Sequence, residues 1–86
     1  MLTVFKYPLA LANEVNVEMP FGAEVLTVQM QAETPCLWAR VDPEAPKETR
    51  RFSIRGTGHA GADGRYLATL QMGGGSLVFH VFESGR

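Results

Sequence analysis

Trp38, Arg40, Arg51, Ser53, Arg55, Thr57 and His59 are the residues of this chain whose types and spacing could do chemistry. In Phe52-Ser53-Ile54-Arg55 the apolar side chains fall on even numbers. In a strand, where successive side chains alternate between faces, Arg51, Ser53, Arg55, Thr57 and His59 then share the opposite face. Guanidinium groups suit phosphate oxygens, because their planar fork donates two parallel hydrogen bonds. A tryptophan beside them can stack on a planar base, a contact worth about 1–3 kcal/mol per base in single-strand binders. The chemistry expected is therefore binding of a nucleotide-like anion, with Trp38 on its planar part and Arg40, Arg51 and Arg55 on its phosphates. The same residues have plainer roles open to them: Trp38 as a core or subunit-interface anchor, the arginines as a solvated face paired with acids such as Glu24 or Glu48.

Catalytic and metal chemistry find no support in the sequence. Two histidines and one cysteine lie too far apart for a zinc-type spacing. The serines lack a nucleophile-elbow context, and His59 with Asp63 on a glycine-rich segment does not make a triad. Gly56-Thr57-Gly58-His59 lacks the Lys-Ser/Thr ending of a phosphate-binding loop. His80, between large apolar residues, reads as a core or interface histidine. The expectation is a non-enzyme with no cofactor and no metal.

These side chains need strands to position them. Seven segments, near 2–7, 14–19, 24–31, 36–42, 49–57, 65–72 and 76–83, read as strands bounded by Pro, Gly, Asn, Asp or charged clusters. Val15, Val17 and Met19 alternate with polar residues, as do Leu26, Val28 and Met30; Leu37, Ala39 and Val41 form the apolar side of the next segment. Pro43 and Pro46 make 42–48 an exposed connection, and 56–64 should be the longest and most mobile one. Gly73-Gly74-Gly75-Ser76 reads as a tight turn. A hairpin register in which opposed residues sum to 67 would bring Gln29 opposite Trp38 and Thr27 opposite Arg40. A following pair summing to 91 would bring Arg40 opposite Arg51, Trp38 opposite Ser53 and Cys36 opposite Arg55, giving one continuous three-strand surface.

The 86 residues fit one domain, 1–86, expected to be all-β: a small antiparallel sandwich or barrel-like fold of about seven strands. The nearly apolar run Leu77–Phe82 reads as a strand covered on both faces or paired across a subunit boundary, so a homo-oligomer is expected. A net charge of −1 argues against a duplex nucleic-acid coat, although six of the eight basic residues lie between positions 40 and 65. Such a focused patch suits a small anion or an acidic partner. The single Cys36 has no disulfide partner and reads as a buried apolar residue. No apolar run reaches the roughly 20 residues of a membrane span and no signal peptide is visible, which gives a cytoplasmic expectation.

Lys6-Tyr7-Pro8-Leu9, Met19-Pro20-Phe21-Gly22-Ala23-Glu24, Pro35-Cys36-Leu37-Trp38-Ala39, Val41-Asp42-Pro43-Glu44-Ala45-Pro46, Gly56-Thr57-Gly58-His59 and Gly74-Gly75-Ser76-Leu77-Val78-Phe79-His80-Val81-Phe82 together resemble a family of small bacteriophage and prophage proteins. The resemblance spans nearly the whole chain and carries over no catalytic or binding residues. It implies activity in the cytoplasm of an infected bacterium. There the first expectation is a protein that counters antiviral defence by sequestering a small nucleotide-like signal. Direct inhibition of a host defence protein, or a virion or structural accessory role, are the alternatives.

Overall fold

The computed structural model describes residues 1–85 and contains seven strands in two antiparallel sheets packed as a sandwich. The strands are β1 (Thr3–Pro8), β2 (Glu14–Pro20), β3 (Glu24–Gln31), β4 (Thr34–Val41), β5 (Lys47–Gly56), β6 (Arg65–Met72) and β7 (Leu77–Glu83). A three-stranded sheet has the order β1-β4-β3, and a four-stranded sheet the order β2-β5-β7-β6. The sheets approach most closely where β3 runs against β6. Each strand lies within two residues of the segment expected from alternation at either end.

The alternating apolar residues make the core. Val28, Leu37, Ala39 and Val41 face inward from the first sheet, and Met19, Phe52, Ile54, Leu70 and Val81 from the second; Leu9 and Ala23 close it from the connections. Leu26 departs from the expected pattern. A bulge between Val25 and Thr27 shifts the register of β3 against β4 and leaves Leu26 45% exposed, while Val25 packs on the core instead.

Pairing departs from expectation more than strand position does. On β3 and β4 the opposed residues are Thr27 with Trp38 and Gln29 with Cys36, two residues away from the expected register. Because the shift is by two, the faces are preserved. The expected pairing of β4 with β5 does not exist: β4 lies between β1 and β3, and β5 between β2 and β7. The 42–46 segment carries the chain from one sheet to the other. Glu44 N–H donates to Asp42 Oδ1 and Ala45 N–H to Asp42 O, turning the chain, and Pro46 O then accepts from Phe21 N–H, fixing the arch to the β2–β3 connection. Prolines at 43 and 46 hold φ where the arch needs it and remove the N–H groups a tight hairpin ladder would use.

β7 is likewise not an edge. It lies inside the four-stranded sheet with Phe79 and Val81 turned inward and Val78, His80 and Phe82 half-buried on the outer face. Its apolar run is explained by that central position and not by pairing across a subunit boundary. Among the described residues, no helix is long and apolar enough to cross a membrane.

Candidate ligand-binding face

The expected site residues divide between two surfaces. Trp38 and Arg40 lie on the outer face of the three-stranded sheet, where Trp38 is opposite Lys6 and Thr27, and Arg40 opposite Val4 and Glu24. Arg40 is committed to Glu24, with Nε and one terminal nitrogen donating to Oε1 at 3.0 and 2.6 Å. Both partners are about half exposed, so the pair contributes at most about 1 kcal/mol. Cys36 is buried between Pro8 and Gln29, with its thiol toward Gln31. That burial explains it as a small apolar side chain.

Arg51, Ser53, Arg55 and Thr57 do follow one another along β5 and its exit, on the outer face of the four-stranded sheet. Their neighbours are not those expected. Arg51 is opposite Asn16, Ser53 lies between Glu14 and Phe82, and Arg55 is opposite His80. Arg40 and Arg51, set side by side in the expected register, are on different sheets. Ser53 is only 2% exposed, covered by the longer side chains around it.

The two arginines of β5 differ in what they hold. Arg55 donates to Glu14 Oε2 at 2.9 Å, to Asn13 O at 2.5 Å and to Gly61 O at 3.1 Å. Gly61, at φ +92°, has no Cβ to block that approach. Arg55 thus pins the β1–β2 and β5–β6 connections to the sheet. Arg51 is exposed, and no hydrogen bond or ion pair joins its side chain to another described residue. It is the β5 arginine available to an anion. His59 donates its backbone N–H to Gly56 O, and its ring packs on Gly56 beside a cleft lined by Leu11 and Phe79.

Four residues on this face form a chain of hydrogen bonds from β6 across β7 to the residue just past the end of β5. Tyr66 Oη lies 2.7 Å from Thr69 Oγ1, which lies 3.0 Å from His80 Nδ1; His80 Nε2 lies 2.8 Å from Thr57 Oγ1. Tyr66 also packs edge-on against Phe82, with ring centroids 5.8 Å apart, and remains 58% exposed. Arg51, two residues along from Ser53, is a diagonal neighbour of Phe82, at about the 7–8 Å such cross-strand diagonals span. Each hydroxyl can donate and accept, so the chain has a direction set by the imidazole tautomer. An imidazole carrying both protons donates to both threonines, which turns their own protons away from it.

Tyr66, Thr69, His80 and Phe82 were not among the expected site residues. The parity of β7 held the signal: Val78, His80 and Phe82 share even numbers while Phe79 and Val81 share odd ones. The uniformly apolar look of the run hid it.

Hydroxyl–imidazole pairs at these distances can activate a nucleophile, but that use needs the second ring nitrogen oriented and the imidazolium stabilised by a carboxylate. Here a second threonine occupies that position and Arg55 is the cross-strand neighbour. Among the described residues, no three His, Cys, Asp or Glu side chains gather as a metal site. The arrangement suits recognition through hydrogen bonds, aromatic surface and the Arg51 guanidinium, which has no partner among the described residues.

Fold and face together define an all-antiparallel β-sandwich with a polar-aromatic surface on its larger sheet. The chain belongs to the family described as a domain of unknown function (DUF7352), matched over residues 1–86. Neither a curated protein nor a solved structure matches it.

Proposed function

We propose that this protein is a non-enzymatic binding module that takes up a small anionic ligand with a planar part, of the nucleotide kind, on the outer face of its four-stranded sheet. Arg51 meets the anionic group, the Tyr66–Phe82 pair meets the planar group, and Thr57, His80 and Thr69 supply donors and acceptors. The observation that carries this reading is an exposed guanidinium, unpaired among the described residues, diagonal to the aromatic pair of exposed Tyr66 and half-buried Phe82 on one rigid sheet. Trp38 and Arg40, on the other sheet, lie outside this site.

The setting proposed is the cytoplasm of an infected bacterium, where holding such a signal would blunt antiviral defence; the resemblance to phage proteins supports it. Direct inhibition of a host defence protein is the second reading. It is favoured by the residue types on the face, since Tyr and Arg are the usual anchors of protein interfaces.

Native mass spectrometry with a panel of mono-, di- and cyclic nucleotides tests the proposal. Binding by the wild type, lost in Arg51→Glu and kept in Trp38→Ala, is the expected result. Loss in Trp38→Ala with retention in Arg51→Glu would place the ligand on the other sheet. A panel that never binds, with a host polypeptide captured through Arg51 and Tyr66, would favour the second reading.

A further inference from the structure

We propose that a second copy of this chain pairs antiparallel with β1, about a two-fold axis through Phe5, joining two three-stranded sheets into one of six. This inference is independent of the ligand reading.

The sandwich has four edge strands, and three of them are defended against such pairing. β3 and β6 each carry a bulge, at Leu26 and Leu67, and run against one another. β2 presents Glu14 and Glu18 on one face, so pairing it with its own copy would gather four carboxylates in one patch. β1 has neither a bulge nor an acid.

A lysine commonly protects an edge by holding its charge there. β1 has one, Lys6, but its ammonium donates to Gln31 Oε1 at 2.8 Å, on the strand beyond β4. The only charge of the strand is therefore drawn across the sheet, away from the open edge. What remains at that edge is apolar: Val4 is 51% exposed, and Phe5, although on the inner face, 40% exposed.

The strand is complementary to itself. With Phe5 on the axis, residues whose numbers sum to 10 are opposed. Lys6 then faces Val4 of the partner subunit instead of another lysine. On the inner face, the edge-to-face pair of Phe5 and Tyr7, with centroids 6.5 Å apart, would continue into the partner's Phe5. A strand of this length gives a contact at or below the low end of stable interfaces, roughly 1,200 Å² in total. Assembly should therefore be reversible with concentration.

Val4 gives a register-specific test, because it is exposed and its replacement leaves the core untouched. Sedimentation equilibrium over a concentration series should show a wild-type dimer. Val4→Lys would set lysines opposite Lys6 twice and weaken the dimer by about tenfold or more, whereas Val4→Glu would set a carboxylate there and keep it. Circular dichroism should be the same for all three. A wild type that stays monomeric throughout, or a Val4→Lys dimer as tight as the wild type, would overturn the proposal. Equal loss in both variants would overturn the Phe5-centred register.

Discussion

Arg50 on β5 and Glu83 at the end of β7 meet through two hydrogen bonds, Nε to Oε2 at 2.6 Å and one terminal nitrogen to Oε1 at 3.1 Å. The other terminal nitrogen of Arg50 donates to Ala23 O at 2.6 Å, just before β3. One guanidinium thus ties the four-stranded sheet to the entry of the three-stranded one, beside a cleft of about 370 Å³ bordered by Phe21, Arg65 and Gly85. The Glu83 hydrogen bond raises the Arg50 pKa above its ordinary value, against the opposing effect of burial. A base with a raised folded pKa gives its full contribution below the unfolded value and loses it only as pH rises through the folded one, here beyond the arginine range.

Replacing Glu83 with Gln should lower stability by about 1–3 kcal/mol, since Arg50 keeps its charge in a mostly buried place, loses its hydrogen-bonded counterion and retains only the more distant Glu48 carboxylate at 3.8 Å. Urea denaturation checks this. The deficit should stay constant between neutral and moderately alkaline pH, because Arg50 does not titrate there.

The two outer-face arginines of β5 should respond oppositely. Arg51→Glu should leave unfolding free energy within about 0.5 kcal/mol of wild type while abolishing the proposed nucleotide binding. Arg55→Ala should lower stability by about 1–3 kcal/mol, because the Gly61 carbonyl loses its donor, the Asn13 carbonyl keeps only the Ile54 N–H, and Glu14 loses its counterion. Thermal melts and ligand titration on the same samples separate the two effects. Equal destabilisation by both would show that Arg51 is structural as well.

Replacing Thr57 with Val removes the partner of His80 Nε2 and leaves Nδ1 bonded to Thr69. The cost expected is about 0.5–1.5 kcal/mol. Long-range proton–nitrogen correlation spectra of the His80 ring should show its Nε2 resonance change more than Nδ1, and Thr69→Val should give the reverse. Ring signals indifferent to both substitutions would mean that the chain is not formed in solution.

Tyr7 offers a test in alkali. Burial raises its phenol pKa above the ordinary 10.0. An acid whose folded pKa is raised lends stability that is complete below its unfolded pKa and is lost as pH rises through the folded one. The melting temperature should therefore fall above pH 10 in the wild type, and less steeply in Tyr7→Phe. Parallel pH profiles would show that Tyr7 ionises as freely as in the unfolded chain.

Strand positions were legible because alternation and Pro/Gly punctuation are local properties. Val15, Val17 and Met19, or Phe52 and Ile54, declare an inner face whatever lies beside them. Partners are not local. A two-residue slip on β3 and β4 leaves every side chain on its expected face, so the pattern could not distinguish Trp38 opposite Gln29 from Trp38 opposite Thr27. Alternation also runs unbroken through Leu26, which gave no hint of the bulge. The larger departure came from treating consecutive strands as neighbours. Prolines at 43 and 46 marked a break after β4, but a break alone does not say which sheet the chain enters next. Hence Arg51, Ser53, Arg55 and Thr57 kept to one side of β5, with Ser53 covered and His59 at a separate cleft, while Trp38 and Arg40 went to another surface.

The arch at 42–46 also dictates how the molecule must assemble. β1 pairs with β4 and β2 with β5, each three strands downstream, so both sheets draw on strands from the first half of the chain. Only β3–β4 and β6–β7 can zip up as neighbours. Every other pairing must first close a long loop, and that entropy is lost before contacts compensate it. Folding should be slow for so short a chain and concerted, and cutting the backbone within the arch would unravel both layers together.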